Sequence, residues 1–225
     1  VNTHVGVILV AAGSGTRLRA AQPKAFVRVA GHTLLEHAVA RAFEAADTTQ
    51  IVVVAPASHL VEAGALASAH PRAADVTVVA GGAERTHSVA AGLAALHDDI
   101  GVVLVHDAAR CLAPAGLFDR LVEAVRTGHD AVVPGLAVAD TIKQVDASGQ
   151  VVATPDRSTL RAIQTPQAFT RHVLADAHAS GVEATDDAAL VERLGTTVLV
   201  VDGDELAFKV TTPTDLERAE RILGG

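Results

Sequence analysis

At 225 residues, with 18 Lys and Arg against 26 Asp and Glu and a formal net charge of −8, the chain is long enough to bury a sizeable core and lacks the broad basic surface that tracks nucleic-acid phosphates. Apolar residues make up 49% and charged residues 20%, too apolar a balance for disorder, yet no uninterrupted apolar run approaches the ~18 residues of a membrane-spanning helix. The single cysteine, Cys111, has no internal partner, and residues 1–12 hold no basic segment ahead of an apolar one. We therefore expect a cytosolic protein, one domain over residues 1–225, that binds neither nucleic acid nor membrane and whose phosphate ligands are small.

Two periods alternate along the chain. Residues 5–12 form a continuous apolar run ending in glycines, as expected of a strand buried on both faces of a parallel sheet. Residues 33–46 repeat apolar side chains at helical spacing, with Thr33 as a candidate cap and Glu36 three residues on. Strands are then predicted at 51–55, 76–80, 102–106 and 131–134, interleaved with helices at 59–68, 85–96 and 114–126. Repeated strand–helix units imply an α/β fold, a single Rossmann-like and mostly parallel sheet with helices on both faces. From about 138 to 160 the pattern changes. Weakly alternating segments at 141–145 and 151–154 flank a turn cluster at 146–149, which predicts a β-hairpin. A lone hairpin is marginal in water, so residues 138–160 should lie on the body as a flap or protrude as a β-arm onto another subunit; we favour the dimerisation arm. Helices at 171–179, 187–194 and 214–223 and strands at 197–201 and 207–210 complete the reading.

Only three lysines, Lys24, Lys143 and Lys209, stand beside fifteen arginines. In so arginine-rich a chain, lysine persists by chance or where a compact ammonium is needed. Lys24 follows the loop A-A-G-S-G-T-R-L at residues 11–18, directly after the first predicted strand. Its glycines let backbone N–H groups approach an anion, and Arg17 and Lys24 add two positive charges: a triphosphate cradle rather than an ordinary turn. A dinucleotide fingerprint is excluded because its third glycine position is Leu18, and no Walker A motif occurs. A second glycine turn, Gly81 and Gly82, leaves the predicted strand 76–80, with Ser88 at the start of the following helix. That arrangement suits a flat base and its polar edge, or else a capped helix after a tight turn. V-H-D-A-A-R at 105–110 ends another strand and sets Asp107 and Arg110 on the same carboxyl rim. Lys209 lies in F-K-V, either a solvated edge-strand lysine or a site residue. The eleven histidines lack paired ligand spacing and Cys111 has no zinc-like partner, so no protein-held metal is expected, and Cys111 reads as a packing residue.

A-A-G-x-G-x-R with P-K, G-G-x-x-R-x-x-S-V, V-H-D-A-A-R, D-T-I-K, T-P-Q, T-D-D and F-K-V-T-x-P-x-D-L follow one another along nearly the whole chain. In this ordered set the chain resembles the 2-C-methyl-D-erythritol 4-phosphate cytidylyltransferases of the non-mevalonate isoprenoid route, which join CTP to a polyol phosphate. The resemblance implies a homodimer whose arm reaches across to the partner. It implies that Arg17 and Lys24 face the CTP phosphates, that Ala12, Gly13 and Gly15 line the nucleotide loop, and that Gly82 and Ser88 hold cytosine. Asp107, Arg110, Thr141, Thr185 and Lys209 are implied contacts of the acceptor, with Arg157 supplied from the arm of the other subunit; Arg110 is also a candidate on the nucleotide side. Catalysis would then rest on Arg17, Lys24, Arg157 and Lys209.

The chemistry agrees with that set. A phosphate monoester, with a second pKa of about 6, is already largely dianionic at neutral pH and needs no general base. What must be overcome is repulsion between two anions, by cations, by positioning, and by Mg²⁺ held mainly by the CTP phosphates. A cytidylyltransferase for another polyol phosphate, such as ribitol 5-phosphate, would share the nucleotide half. A catalytically silent nucleotide-binding module is the reading from another class, and the joint presence of Arg17, Lys24, Asp107 and Lys209 speaks against it.

Overall fold

The structure, a computed structural model, describes residues 4–13, 18, 22–181 and 184–224. The first apolar run becomes strand β1 (His4–Val10), and a small hairpin of β2 (Arg28–Val29) and β3 (His32–Thr33) leads into helix α1 (Leu34–Glu44). Thr33 and Glu36 form the expected capping box, each side chain taking the other's backbone N–H. Then come β4 (Thr48–Ala55), α2 (Leu60–Ser68), β5 (Val76–Ala80), α3 (Arg85–Ala94), β6 (Ile100–Asp107), α4 (Ala115–Arg126) and β7 (Ala131–Ala137). The hairpin β8 (Gln144–Val145) and β9 (Val151–Ala153) follows, and after it β10 (Arg161–Ile163), β11 (Gln167–Thr170), α5 (Arg171–Ala179), α6 (Asp187–Arg193), β12 (Val198–Asp202) and α7 (Pro213–Leu223). No helix among the described residues is long and apolar enough to cross a membrane.

Among the described residues one eight-stranded sheet organises the chain, with β6, β1, β4 and β5 adjacent and mutually parallel. Alternation within the apolar run of β1 sorts its side chains to two cores. Val5, Val7 and Leu9 face α1, α4 and α7, while Ile8 faces α3, α5 and α6. After β1 the chain steps outward through β4 to β5, then crosses back to place β6 on the other side of β1. That reversal is a topological switch point, and it opens a crevice at the carboxyl ends of β1 and β6.

Two parts of the sheet differ from the sequence reading. The strands β10 and β11 were not predicted; they run antiparallel to β7 and share one of its edges end to end, while β12 pairs parallel with the other edge. Their short, interrupted patterns carry no periodic signal, because tertiary pairing rather than local alternation makes them strands. Conversely, the strand expected at 207–210 does not form. Residues Glu205–Ala207 make a 3-10 turn, and the segment after it joins no strand ladder among the described residues, its Val210 N–H bonding the Ala109 carbonyl at 2.8 Å. The predicted hairpin at 138–160 is present as β8 and β9, off the main sheet, with every residue from 139 to 154 exposed.

Close approach of α3 to the sheet depends on Gly92. A Cβ built there would stand 2.5 Å from Ile8 Cγ2 and 3.0 Å from Val54 Cγ2, whereas at Gly64 in α2 it would meet nothing within 4 Å. Gly92→Ala should therefore overpack the core and cost about 1–3 kcal/mol. Gly64→Ala should stabilise by roughly 0.5–1 kcal/mol through helix propensity. Equilibrium urea denaturation of the two variants checks both signs.

Candidate active site

A cleft of about 380 Å³ opens at the switch point. Its walls are the exit of β1 (Val10 to Gly13), the turn after β5 (Gly82 to Arg85, with Ser88), the end of β6 (Asp107 to Ala109), and the two lysines Lys24 and Lys209. Of the residues expected from sequence, Ala12, Gly13, Lys24, Gly82, Ser88, Asp107 and Lys209 line it. Gly15 and Arg17 lie outside the described residues.

Lys24 is presented by its neighbours. It opens a 3-10 turn, Lys24–Phe26, in which Ala25 and Phe26 are buried, and Phe26 N–H donates to the Pro23 carbonyl at 2.9 Å. The Phe26 ring packs tilted against His59, and Gln22 Nε2 donates to the Phe26 carbonyl at 2.6 Å. Burying the phenylalanine thus fixes the stem from which the ammonium reaches the cleft.

The glycine turn is shaped around Ser88. Its hydroxyl accepts from Gly82 N–H at 3.2 Å and donates to the Glu84 carbonyl at 3.1 Å. A Cβ at Gly81 would lie 2.8 Å from Ser88 Oγ and 2.7 Å from Ala12 Cβ; one at Gly82 would strike His87 Cβ at 2.4 Å. Neither position tolerates a side chain without the turn shifting. Since the Ser88 proton is already given to Glu84, what Ser88 can still offer a ligand is one acceptor lone pair.

On the opposite wall Asp107 Oδ2 accepts from Lys209 Nζ at 2.6 Å, and Asp107 Oδ1 faces Arg85 Nε at 3.9 Å. Burial alone would raise the Asp107 carboxyl, but Lys209 and then Arg85 outweigh it and hold it down to about 2. Thr165 orients the backbone here: its hydroxyl accepts from Asp107 N–H at 3.0 Å and lies 3.0 Å from His106 Nδ1. Burial pushes His106 down to about 4, with Asp107 opposing, so the imidazole is neutral at neutral pH. Burial likewise pushes the Cys111 thiol up to about 12, which leaves it protonated and unreactive, the packing role expected of it.

Arg110, assigned to ligands from sequence, stands beneath the rim rather than in the cleft. Its Nη1 donates to the Ala207 carbonyl at 2.7 Å, and its Nε is buried without a hydrogen-bond partner. It clamps the segment that carries Lys209. Thr141 and Arg157 are exposed on the hairpin, where Arg157 Nη1 donates to the Ala139 carbonyl, and neither lines the cleft of its own chain. Thr185 is exposed two residues before Asp187, whose carboxylate is tied to the cleft wall.

That tie is the feature the sequence reading missed. Arg85 Nη1 donates to Asp187 Oδ2 at 2.6 Å, and the fully buried Asp187 takes His178 Nε2 on its other oxygen at 3.0 Å. Burial works against the Arg85 cation, and Asp187 followed by Asp107 more than compensates, raising its pKa. A signal was available: Arg85 is the first residue of α3, where the helix dipole disfavours a cation, so an acidic partner was required.

The family model for 2-C-methyl-D-erythritol 4-phosphate cytidylyltransferase (IspD) matches residues 5–225. A protein of that name from Nocardia farcinica is 52% identical over 219 residues, covering 97% of this chain and 94% of that protein. A bifunctional IspD/IspF enzyme from Clavibacter michiganensis is 51% identical over 98% of this chain, which spans about half of that protein, 54%. Among solved structures, a 4-diphosphocytidyl-2C-methyl-D-erythritol synthase from Anaerococcus prevotii superposes with a TM-score of 0.87 at 27% identity, each chain covered in full, 100%. A cytidylyltransferase of the matched name from Thermus thermophilus gives 0.79 at 36% identity, covering 99% of this chain and 100% of its own.

The two perturbed groups beside the rim predict distinct acid windows. His106 falls from about 6.5 unfolded to about 4 folded, so its contribution, of order 3 kcal/mol, is whole above pH ~6.5 and lost as the pH falls through ~4. Asp107 falls from 3.8 to about 2, so its contribution, about 2 kcal/mol, is whole above pH ~4 and lost towards pH ~2. His106→Asn should flatten the stability profile between pH ~6.5 and ~4, and Asp107→Asn below that, in urea denaturation at stepped pH.

Proposed function

We infer the working of the cleft from one premise: over residues 5–225 the chain belongs to the 2-C-methyl-D-erythritol 4-phosphate cytidylyltransferase family. It transfers a cytidylyl group from CTP to 2-C-methyl-D-erythritol 4-phosphate, releasing pyrophosphate. The observation that carries our assignment of roles is the meeting of Lys24, the glycine turn and the Asp107–Lys209 pair around one hollow.

We assign the triphosphate to the β1 exit, to Lys24 and to Arg17. Lys24, held at the cleft, would stabilise charge as it gathers on the oxygens of the α-phosphorus, and Arg17 is assigned there from its sequence motif alone. The cytosine belongs at Gly82 and Ser88, where the remaining Ser88 lone pair suits the exocyclic amine of cytosine. The acceptor belongs to Asp107 and Lys209. A polyol phosphate offers hydroxyl donors beside a dianion, and a carboxylate paired with an ammonium presents the complement of both. The acceptor phosphate then attacks the α-phosphorus in line, the bond to the β-phosphate oxygen breaks, and pyrophosphate leaves. Because the attacking oxygen is already ionised, no side chain has to remove a proton.

The residues also fit magnesium carried on the triphosphate rather than caged by protein. Asp107 has both oxygens turned to cations, Glu84 is the other carboxylate on the wall, and no cluster of three metal-ligating side chains occurs among the described residues. Carried by the nucleotide, the ion would draw charge away from the reacting phosphorus. A buried free Cys111 accords with a reducing, cytosolic setting.

We further propose that two copies assemble through the hairpin. Val145, Val151 and Val152 are 53%, 58% and 57% exposed on it, apolar surface that a second copy would cover. In that assembly Thr141 and Arg157 complete the partner's cleft, and Thr185 joins the acceptor side.

Pyrophosphate release in CTP, Mg²⁺ and the methylerythritol phosphate, compared with ribitol 5-phosphate, tests the reading; preference for ribitol 5-phosphate would overturn it. Lys24→Ala should lower turnover by roughly 10²- to 10³-fold, and near-normal single-turnover chemistry would refute its role. For the assembly, mixing an Arg157→Ala protomer with a Lys24→Ala protomer should restore up to about half the sites in the mixed dimers. Purified mixed dimers that stay inactive would exclude action in trans.

A further inference from the structure

Behind the Asp107–Lys209 pair stands a second ion pair that no assigned role requires. Arg85, half-buried in the cleft wall, reaches both: Nη1 to Asp187 at 2.6 Å and Nε towards Asp107 at 3.9 Å. Asp187 is wholly buried and carries His178 Nε2 on its second oxygen at 3.0 Å. Two contacts from the Gln167 side chain, one to a side chain and one to the backbone, fix the helix start that bears it. Gln167 Nε2 donates to Asp186 at 2.9 Å, and Gln167 Oε1 accepts from Ala188 N–H at 3.2 Å.

The unequal distances matter. An unrestrained guanidinium next to a carboxylate closes to a bidentate pair at hydrogen-bond length. Here Asp187 holds Arg85 back, so Asp107 lies within Coulombic reach of the arginine while its short contact goes to Lys209. We propose that Arg85, restrained by Asp187 and His178, is a positioning residue for the reaction: it orients the Asp107 carboxylate so that the Lys209 ammonium is held ready for the acceptor. This rests on the assignment of Asp107 and Lys209 to the acceptor given above. Its two carboxylate partners are Asp107, assigned to the acceptor, and Asp187, so its loss should be felt in acceptor binding.

Steady-state kinetics with each substrate varied in turn tests this, with Lys209→Ala as the reference for the assignment itself. Asp187→Asn removes the restraint, letting Arg85 close on Asp107 and loosen Lys209. Arg85→Lys supplies a point charge that cannot serve two carboxylates. Both should raise KM for the acceptor about tenfold while KM for CTP stays within about twofold, and the double variant should be no worse than the worse single one. Because Asp187 is buried and also takes His178, a charge-free replacement of all three, Arg85→Met, Asp187→Leu and His178→Phe, provides a variant expected to fold, and it should show the same split. Should Lys209→Ala leave the acceptor KM unchanged, the underlying assignment fails. Should Lys209→Ala raise it while the Arg85 and Asp187 variants leave it at the wild-type value, or raise both KM values alike, the positioning role is overturned.

Discussion

One wall of this cleft depends on holding one lysine still. Lys209 has a long, rotamer-rich side chain on a segment with almost no regular structure, and ordering such a chain costs about 1.5–2 kcal/mol. The fold meets that cost with ties on either side of it. Gln164 exchanges two 2.9 Å hydrogen bonds with the backbone of Asp204, Arg110 grips the Ala207 carbonyl, and Val210 N–H binds the Ala109 carbonyl. Only then does the 2.6 Å contact with Asp107 set the ammonium itself. Lys209 is 42% exposed in that pair while Asp107 is only 12% exposed, so the buried carboxylate fixes a cation that still faces the cleft, and the consequence for the reaction is preorganisation.

Much of this was legible in the sequence, and the boundary of legibility has a physical cause. Continuous apolar runs and the 3.6-residue period located β1, β4, β5, β6 and the helices between them, because each pattern is local and each element buries a full face. The second glycine turn could be read in part for the same reason: Gly82 answers to His87 and Gly81 to Ser88, a few residues away, although Gly81 is also closed in by Ala12 from the exit of β1. The short β10 and β11 could not be read, since Arg161–Ile163 and Gln167–Thr170 are strands only because β7 and β6 offer them hydrogen bonds. Yet this insertion supplies Gln164 and Gln167, which pin the loops carrying Lys209 and Asp187. The strand expected at 207–210 failed for the complementary reason: Ala207 and Val210 are buried but, three residues apart, do not alternate on one face, and among the described residues the segment joins no ladder of the sheet.

Arg110 and Arg85 illustrate the harder limit. Both arginines sit in motifs at strand ends, and composition treats them alike. The difference arises from what lies beneath. Arg110 finds the Ala207 carbonyl under the rim and turns inward, whereas Arg85, at the N-terminus of α3, meets Asp187 arriving from a helix more than a hundred residues later. Sequence spacing constrains the first turn around a residue; which carboxylate crosses the chain to meet it is decided by topology.

The balance of charge in the described part of the cleft then becomes intelligible. Lys24, Lys209 and Arg85 are set against Glu84, Asp107 and the buried Asp187, so the wall offers fixed, alternating charges rather than a uniformly positive surface. A uniformly positive hollow would bind two anions tightly as they arrive, and uniform binding lowers KM without lowering the barrier between them. Alternating charges behave differently. The carboxylates cancel attraction at a distance, and Asp107 and Asp187 hold Lys209 and Arg85 in place, so a phosphate gains most when it occupies the position the fixed ammonium already faces. Attraction that strengthens only at that geometry is what distinguishes a site that turns over two mutually repelling substrates from one that stores them.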